Sequence, residues 1–139
     1  SVLTASGRDT LIGQMAPQPK VRTAQGQSQL DQLLACHQWV ALGFEADPAL
    51  MLSRRDHGIL AALDARFISL NNVGPAKSPQ TLALQCHDSG FIDWAKKHGV
   101  RGVLVRPDRF IAARLKADVD LPVLSFFATA PAAALRRAA

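Results

Sequence analysis

The sequence predicts an α/β domain, a mixed sheet flanked by helices, with an extended arm in front of it. Three observations predict it. Trp39-Val-Ala-Leu-Gly-Phe44 is a compact apolar run of the kind that forms a buried strand. Asp47-Pro48 follows at once as a helix-start signal, an N-cap residue with proline at the first turn. Near the end, Gly102-Val-Leu-Val105 and Phe110-Ile-Ala-Ala-Arg114 flank Arg106-Pro-Asp-Arg109 and read as a β-hairpin. Pro107 presets φ for the first central position of a type I turn, and Asp108 suits the second.

In chain order, residues 1–29 are polar and turn-rich, and little regular structure is expected before Ser28. Pro17-Gln18-Pro19 should be extended, because each proline also disfavours helix in the residue before it. Ser28 is expected to cap a short helix, Gln29 to Leu34. After the first strand a helix is predicted over roughly Pro48 to Leu63, with Leu50, Leu60 and Leu63 facing inward beside Ile59. Arg66 to Val73 reads as a second strand, and Gly74 to Gln80, with two prolines, as a loop. Thr81 to Cys86 is either a short strand or part of that connection. Phe91 to His98 is a helix, capped by Asp88 or Ser89 and closed by Gly99. After the hairpin, Leu121 to Phe127 is a strand or a loop over the core, and Pro131 opens a terminal helix. A parallel pair joined by a crossover, then an antiparallel hairpin, makes a mixed sheet. The division expected is an arm over 1–29 and one domain over 30–139.

At 139 residues the chain can bury a normal core without disulfides or metals. No apolar run reaches the ~18–20 residues of a membrane-spanning helix, so no membrane partner is expected. The opening Ser1 to Arg8 has no initiator Met and no basic stretch before an apolar core. It does not read as a signal peptide, and the chain reads as a fragment. The net charge of +5 is uneven: residues 91–139 carry nine Lys/Arg against four Asp/Glu, while 1–90 balance at seven each. Few aromatics are interleaved among these charges, so a solvated face is favoured and no nucleic-acid partner is expected. Cys36 and Cys86 are the only cysteines, and reduced thiols in a cytoplasm are the default.

A thiol reaction in a sheet of this kind needs a cysteine where the first core strand meets the next helix. Gly43-Phe-Glu-Ala-Asp-Pro48 occupies that place and has none. Cys86-His87-Asp88 has the residue types of a nucleophile, a base and an orienting acid. Neighbours on a strand point to opposite faces, so a buried Cys followed by turn residues is the better reading. His37, His57 and His98 are scattered, and no metal-ligand spacing exists, so no catalytic or metal residue is assigned. A flavin needs a phosphate cradle such as Gly-x-Gly-x-x-Gly; the nine glycines show no such spacing, and no cofactor-binding residue is assigned. Trp39 and Trp94 read as packing residues, and Arg106, Asp108 and Arg109 as a solvated hairpin tip.

The segments Asp93-Trp94-Ala95-Lys96-Lys97-His98-Gly99 and Gly99 through Arg114, with Met15-Ala-Pro-Gln-Pro-Lys-Val21 and Leu30-Asp31 before Trp39–Phe44, resemble one family in order and spacing. It is the C-terminal, thioredoxin-like domain of FAD-dependent aromatic hydroxylases of the phenol hydroxylase and 3-(3-hydroxyphenyl)propionate hydroxylase type. The resemblance implies a non-catalytic structural or dimerisation module. Its partners would be the N-terminal FAD and substrate domains of the same polypeptide, with a homodimer as a further option. FAD and NAD(P)H would serve the parent monooxygenase and not this part. Residues 121–139 depart from the family pattern. The competing reading is a free-standing thioredoxin-like binding or redox protein.

Overall fold

The computed structural model describes residues 10–23, 25–34, 38–72, 78–116 and 119–127. Seven strands form one sheet: β1 (Lys20–Thr23), β2 (Gly26–Gln29), β3 (Val40–Phe44), β4 (Arg66–Leu70), β5 (Thr81–Cys86), β6 (Gly102–Val105) and β7 (Ile111–Arg114). Helix α1 (Arg54–Ala62) joins β3 to β4, and α2 (Ser89–Lys97) joins β5 to β6. The strand order is β2-β1-β5-β4-β3-β6-β7. Strands β3 and β4 pair parallel, as do β4 and β5; β6 runs antiparallel to β3 and β7 to β6. The sheet is therefore mixed, as predicted, and Thr81–Cys86 is a strand.

Alternation along the strands sends side chains to two cores. Val40, Leu42 and Phe44 of β3 join Ile68, Val103, Phe91 and Ala95 on the α2 face. Ala41 of the same strand joins Phe67, Leu104 and the α1 residues Ile59 and Leu60 on the other. Every residue of β3 is buried, which is why its sequence reads as an unbroken apolar run.

The front of the chain corrects the expected arm. Lys20–Thr23 and Gly26–Gln29 form an antiparallel hairpin, and β1 adds to the sheet through Val21↔Cys86 and Arg22↔Gln85. Upstream, Gly13 N–H donates to the Ile111 carbonyl, Ile111 N–H to the Gln14 carbonyl, and Ala16 N–H to the Arg109 carbonyl. Residues 13–16 thus line the β7 edge, and Pro17-Gln18-Pro19 leads from there to β1 at the far side of the sheet order. Leu11 and Val21 are wholly buried in the α2-side core and Ala16 nearly so. Ser28 lies in β2; the helix expected from Gln29 to Leu34 is a single 3₁₀ turn, Leu30–Leu33, with Gln29 at its N-cap.

The helix expected over Pro48–Leu63 is two pieces. Asp47 caps a 3₁₀ turn, Pro48–Met51, and Ser53 caps α1 by accepting from Asp56 N–H at 3.2 Å. Two caps six residues apart offer two starts, and the chain is extended at Leu52 between them. Leu50 therefore sits on the short turn and is 59% exposed, not inward, while Ile59, Leu60 and Leu63 are buried. Strand β4 ends at Leu70 because Asn71 turns left-handed, with φ 55°. Helix α2 begins two residues earlier than expected, after the Asp88 cap, and Gly99 closes it at φ 62°.

The hairpin has the predicted turn with one addition. Arg109 N–H donates to the Arg106 carbonyl and Arg106 N–H to the Phe110 carbonyl, each at 2.8 Å. Arg109 takes the left-handed position, φ 73°, that usually falls to glycine in a three-residue hairpin loop. Leu121–Phe127 is neither strand nor plain loop; Pro122–Phe127 is a 3₁₀ helix with Leu124 wholly buried against the α1-side core. The terminal helix expected from Pro131 lies outside the described residues.

Candidate functional site

The corner between β3 and the Pro48 turn is where a reactive thiol would stand, and hydrogen bonds close it. Asp47 is 5% exposed. One carboxylate oxygen accepts from Ala49 N–H at 3.0 Å and from Thr81 Oγ1 at 2.7 Å; the other accepts from Ser78 N–H at 3.2 Å. Ser69 Oγ donates to the Ala46 carbonyl at 2.7 Å, and Glu45 N–H to the Leu70 carbonyl. Asp47 thus ties the end of β3 to the start of β5. The Asp-Pro signal revealed the cap; its reach to residues 78 and 81 had no local signature.

At the Pro48 turn, α1 and α2, side-chain caps already hold amides that a flavin phosphate would use. A phosphate at a helix start needs free N–H groups. At the Pro48 turn proline has no N–H, and Ala49 N–H is held by Asp47. At α1 the Asp56 amide is held by Ser53, and at α2 the Asp88 carboxylate holds the Gly90 and Phe91 amides. An anion at the first or last of these would also meet a carboxylate.

Cys86-His87-Asp88 is drawn apart as the strand alternation requires. Cys86 is 1% exposed within the α2-side core, whereas His87 is exposed. Burial pushes the Cys86 thiol up from its ordinary value, which suppresses the thiolate. Asn71 clamps its backbone, donating from Nδ2 to the Cys86 carbonyl (2.8 Å) and accepting from Cys86 N–H (2.7 Å). Cys36 and His37 lie outside the described residues.

Asp88 has a structural task of its own. It accepts from Gly90 and Phe91 N–H and also from Lys20 N–H at 3.2 Å, so one carboxylate joins α2 to β1. The Lys20 amide, more than the two helix amides, holds its carboxyl below the usual carboxylate range. A depressed folded pKa gives stability that is present above the unfolded value of ~4 and is lost as pH falls through the lower folded value. Asp88→Ala should cost about 1 kcal/mol at neutral pH, the usual worth of a cap. Urea unfolding at neutral pH and again at strongly acidic pH checks it: the gap between variant and parent should close in acid. A gap independent of pH would mean the carboxylate is not the source.

Among the remaining candidates, His57 lines an open groove of about 300 Å³ with Ala61, Asp64, Ala65, Phe67 and Gln80. Its ring lies 5.2 Å from that of Phe67, and its Nε2 accepts from Gln80 Nε2 at 2.7 Å. Gln80 is oriented by Ser78 Oγ, which donates to its Oε1, so the imidazole is already engaged within the fold. His98 follows α2, its ring beside Trp94. Trp39 is buried edge-to-face with Phe127 at 6.2 Å, and Trp94 packs on Phe91 at 5.6 Å. No group of three His, Cys, Asp or Glu able to hold a metal occurs among the described residues, and no described helix is long and apolar enough to cross a membrane.

The hairpin tip differs from expectation. Arg106 and Asp108 pair at the surface, but Arg109 turns back into the fold. Its guanidinium pairs with Asp31 and donates to the Gln38 carbonyl at 2.9 Å, while its own carbonyl accepts from Ala16 N–H. A second hub, also invisible in sequence, is Asp56. It is wholly buried and accepts from Leu121 N–H, 65 residues away, and from Arg55 Nε and Nη2.

These features define a mixed-sheet α/β domain whose buried charged groups are spent on joining its own segments. The chain belongs to the HcaD C-terminal domain family, whose model matches residues 13–127. It is 30% identical over 125 residues to a 3-(3-hydroxy-phenyl)propionate/3-hydroxycinnamic acid hydroxylase of Burkholderia cenocepacia (strain HI2424), covering 83% of this chain and 23% of that protein. It is 31% identical over 126 residues to the hydroxylase 2 of that name from Burkholderia vietnamiensis (strain G4 / LMG 22486), covering 84% and 23%. The chain therefore spans less than a quarter of these curated relatives. Among solved structures, a putative electron transfer protein from Aquifex aeolicus VF5 matches with a TM-score of 0.52 and 13% identity over 91% of this chain and 94% of that one. At that identity the likeness concerns the fold alone. The family is the one that the hairpin and the Pro-Gln-Pro segment pointed to.

Proposed function

We propose that this chain is the non-catalytic C-terminal packing module of a cytoplasmic aromatic-ring hydroxylase that uses FAD and NAD(P)H. The observation that carries the reading is the match of residues 13–127 to a C-terminal domain family whose hydroxylase members are some four times longer. The closed corner at Gly43–Pro48 and the capped helix starts support it: Asp47 and its hydrogen bonds fill the corner where a reactive thiol would stand, and the Asp88 cap holds amides that a phosphate would use. Flavin reduction and ring hydroxylation then belong to the preceding domains. This module holds those domains together or pairs two subunits.

Deletion of residues 1–139 from the parent should lower its thermal midpoint or change its mass by light scattering. The residues of the flavin chemistry stay in place. If truncation leaves mass, midpoint and FAD retention unchanged but abolishes hydroxylation, the module supplies chemistry and the packing reading is wrong.

A further inference from the structure

We propose that the ridge formed by Ile12 and Met15, on the segment that edges β7, is the surface that docks onto the preceding domains of the same polypeptide. The inference rests on the packing-module reading above and adds where the packing occurs. Ile12 is 50% exposed and Met15 64% exposed, although their neighbours Leu11 and Ala16 are buried in the core. The segment is not loose: Gly13, Gln14 and Ala16 are hydrogen-bonded to β7 and the hairpin, and Met15 bridges to Phe110. Two large apolar side chains are thus held outward on a fixed backbone. Phe110, half-buried beside them, carries the Arg106 guanidinium 5.9 Å from its ring centre, which gives the ridge a polar rim.

The occupant follows from where the rest of the protein must lie. This chain matches a C-terminal domain and covers 23% of its relatives, so the larger part of such a protein precedes it. That part enters the described fold at Thr10, two residues before Ile12 and five before Met15. A partner tethered so closely is present at high effective concentration, so a small apolar ridge suffices to seat it. The other large exposed apolar residues among those described are Leu50 on the Pro48 turn, Leu82 on β5, and Val119, Val123 and Phe126 at or just before the last 3₁₀ helix, and all lie far in sequence from that tether.

The test uses the full-length parent with a photo-crosslinking amino acid, p-benzoyl-phenylalanine, in place of Met15, Phe126 or Gln27. Gln27 is an exposed polar position on the outer strand β2. After irradiation, crosslinked peptides are mapped in a mixture of isotopically light and heavy protein. The expected result is a Met15 crosslink to an upstream peptide of the same isotope label, several-fold stronger than from Gln27. Mixed-label crosslinks from position 15 would replace the proposal with contact between copies. Crosslinks from position 15 only within residues 10–127, or none, would overturn it. If Phe126 then reached upstream peptides, the packing-module reading would survive without this ridge.

Discussion

Asp56→Ala should lower the stability of the domain by about 2–4 kcal/mol and free its last 3₁₀ helix. Asp56 is wholly buried, and its carboxylate accepts from Leu121 N–H at 2.6 Å and from two nitrogens of Arg55. Arg55 in turn donates to the Leu121 carbonyl at 3.0 Å and to Ser125 Oγ at 3.2 Å. The pair thus clasps both backbone groups of Leu121 and seats Leu121 and Leu124 on the α1-side core. Alanine leaves a buried amide without an acceptor and takes from the Arg55 guanidinium the nearer and buried one of its two carboxylates, the exposed Asp120 remaining at 3.5 Å. Breaking a buried pair costs about 3–5 kcal/mol, but the Arg55 side chain is 30% exposed and regains some hydration, which lowers the figure. Urea unfolding measures the loss, and limited proteolysis should cut within 119–127 before global unfolding. Asp56→Asn, which keeps an acceptor for Leu121 but no charge, should lose less. An Asp56→Ala midpoint equal to that of the parent would mean that the clasp contributes nothing.

What was legible in the sequence is what depends on near neighbours. Strand β3 reads as apolar because both its faces are covered; the Asp88 cap and the Gly99 stop bracket α2; Pro107-Asp108 marks the hairpin. The strand pair Lys20–Gln29 was missed because it lies at the sheet's edge. Only Val21 of its eight strand residues is buried, so no alternation of apolar and polar residues announces it. Its place is set by pairing with Cys86, more than sixty residues on. Asp47, Asp56 and Arg109 were missed as hubs for the same reason. In sequence, the first two look like ordinary residues of a helix start and the third like a turn residue. Their partners at 78 and 81, at 121, and at 31 and 38 are brought near only by the fold. The family was legible from the order and spacing of short segments; no site of chemistry was, and the fold separates Cys86 from His87 instead of joining them.

The corner that replaces a reactive site can be tested through Gly43. An added Cβ there would lie 2.2 Å from the Ala46 carbonyl oxygen and 2.9 Å from Pro48 Cδ. Neither neighbour can yield cheaply. The carbonyl is fixed as an acceptor for Ser69 Oγ, and the proline ring is held in the turn that Asp47 caps. Overpacking a well-filled site costs about 1–3 kcal/mol, and a clash with backbone falls at the top of that range, so Gly43→Ala should lose about 3 kcal/mol or more. Gly58, exposed on α1, is the matched control. Nothing lies within 4 Å of its added Cβ, so Gly58→Ala should gain about 0.5–1 kcal/mol from helix propensity. Opposite signs from one chemical change would establish that the β3 corner is filled by its own backbone, with no space for a substrate, a phosphate or a thiol's reaction partner. A Gly43→Ala variant as stable as the parent would instead show that the corner yields, and the case against chemistry at this position would lose its main support.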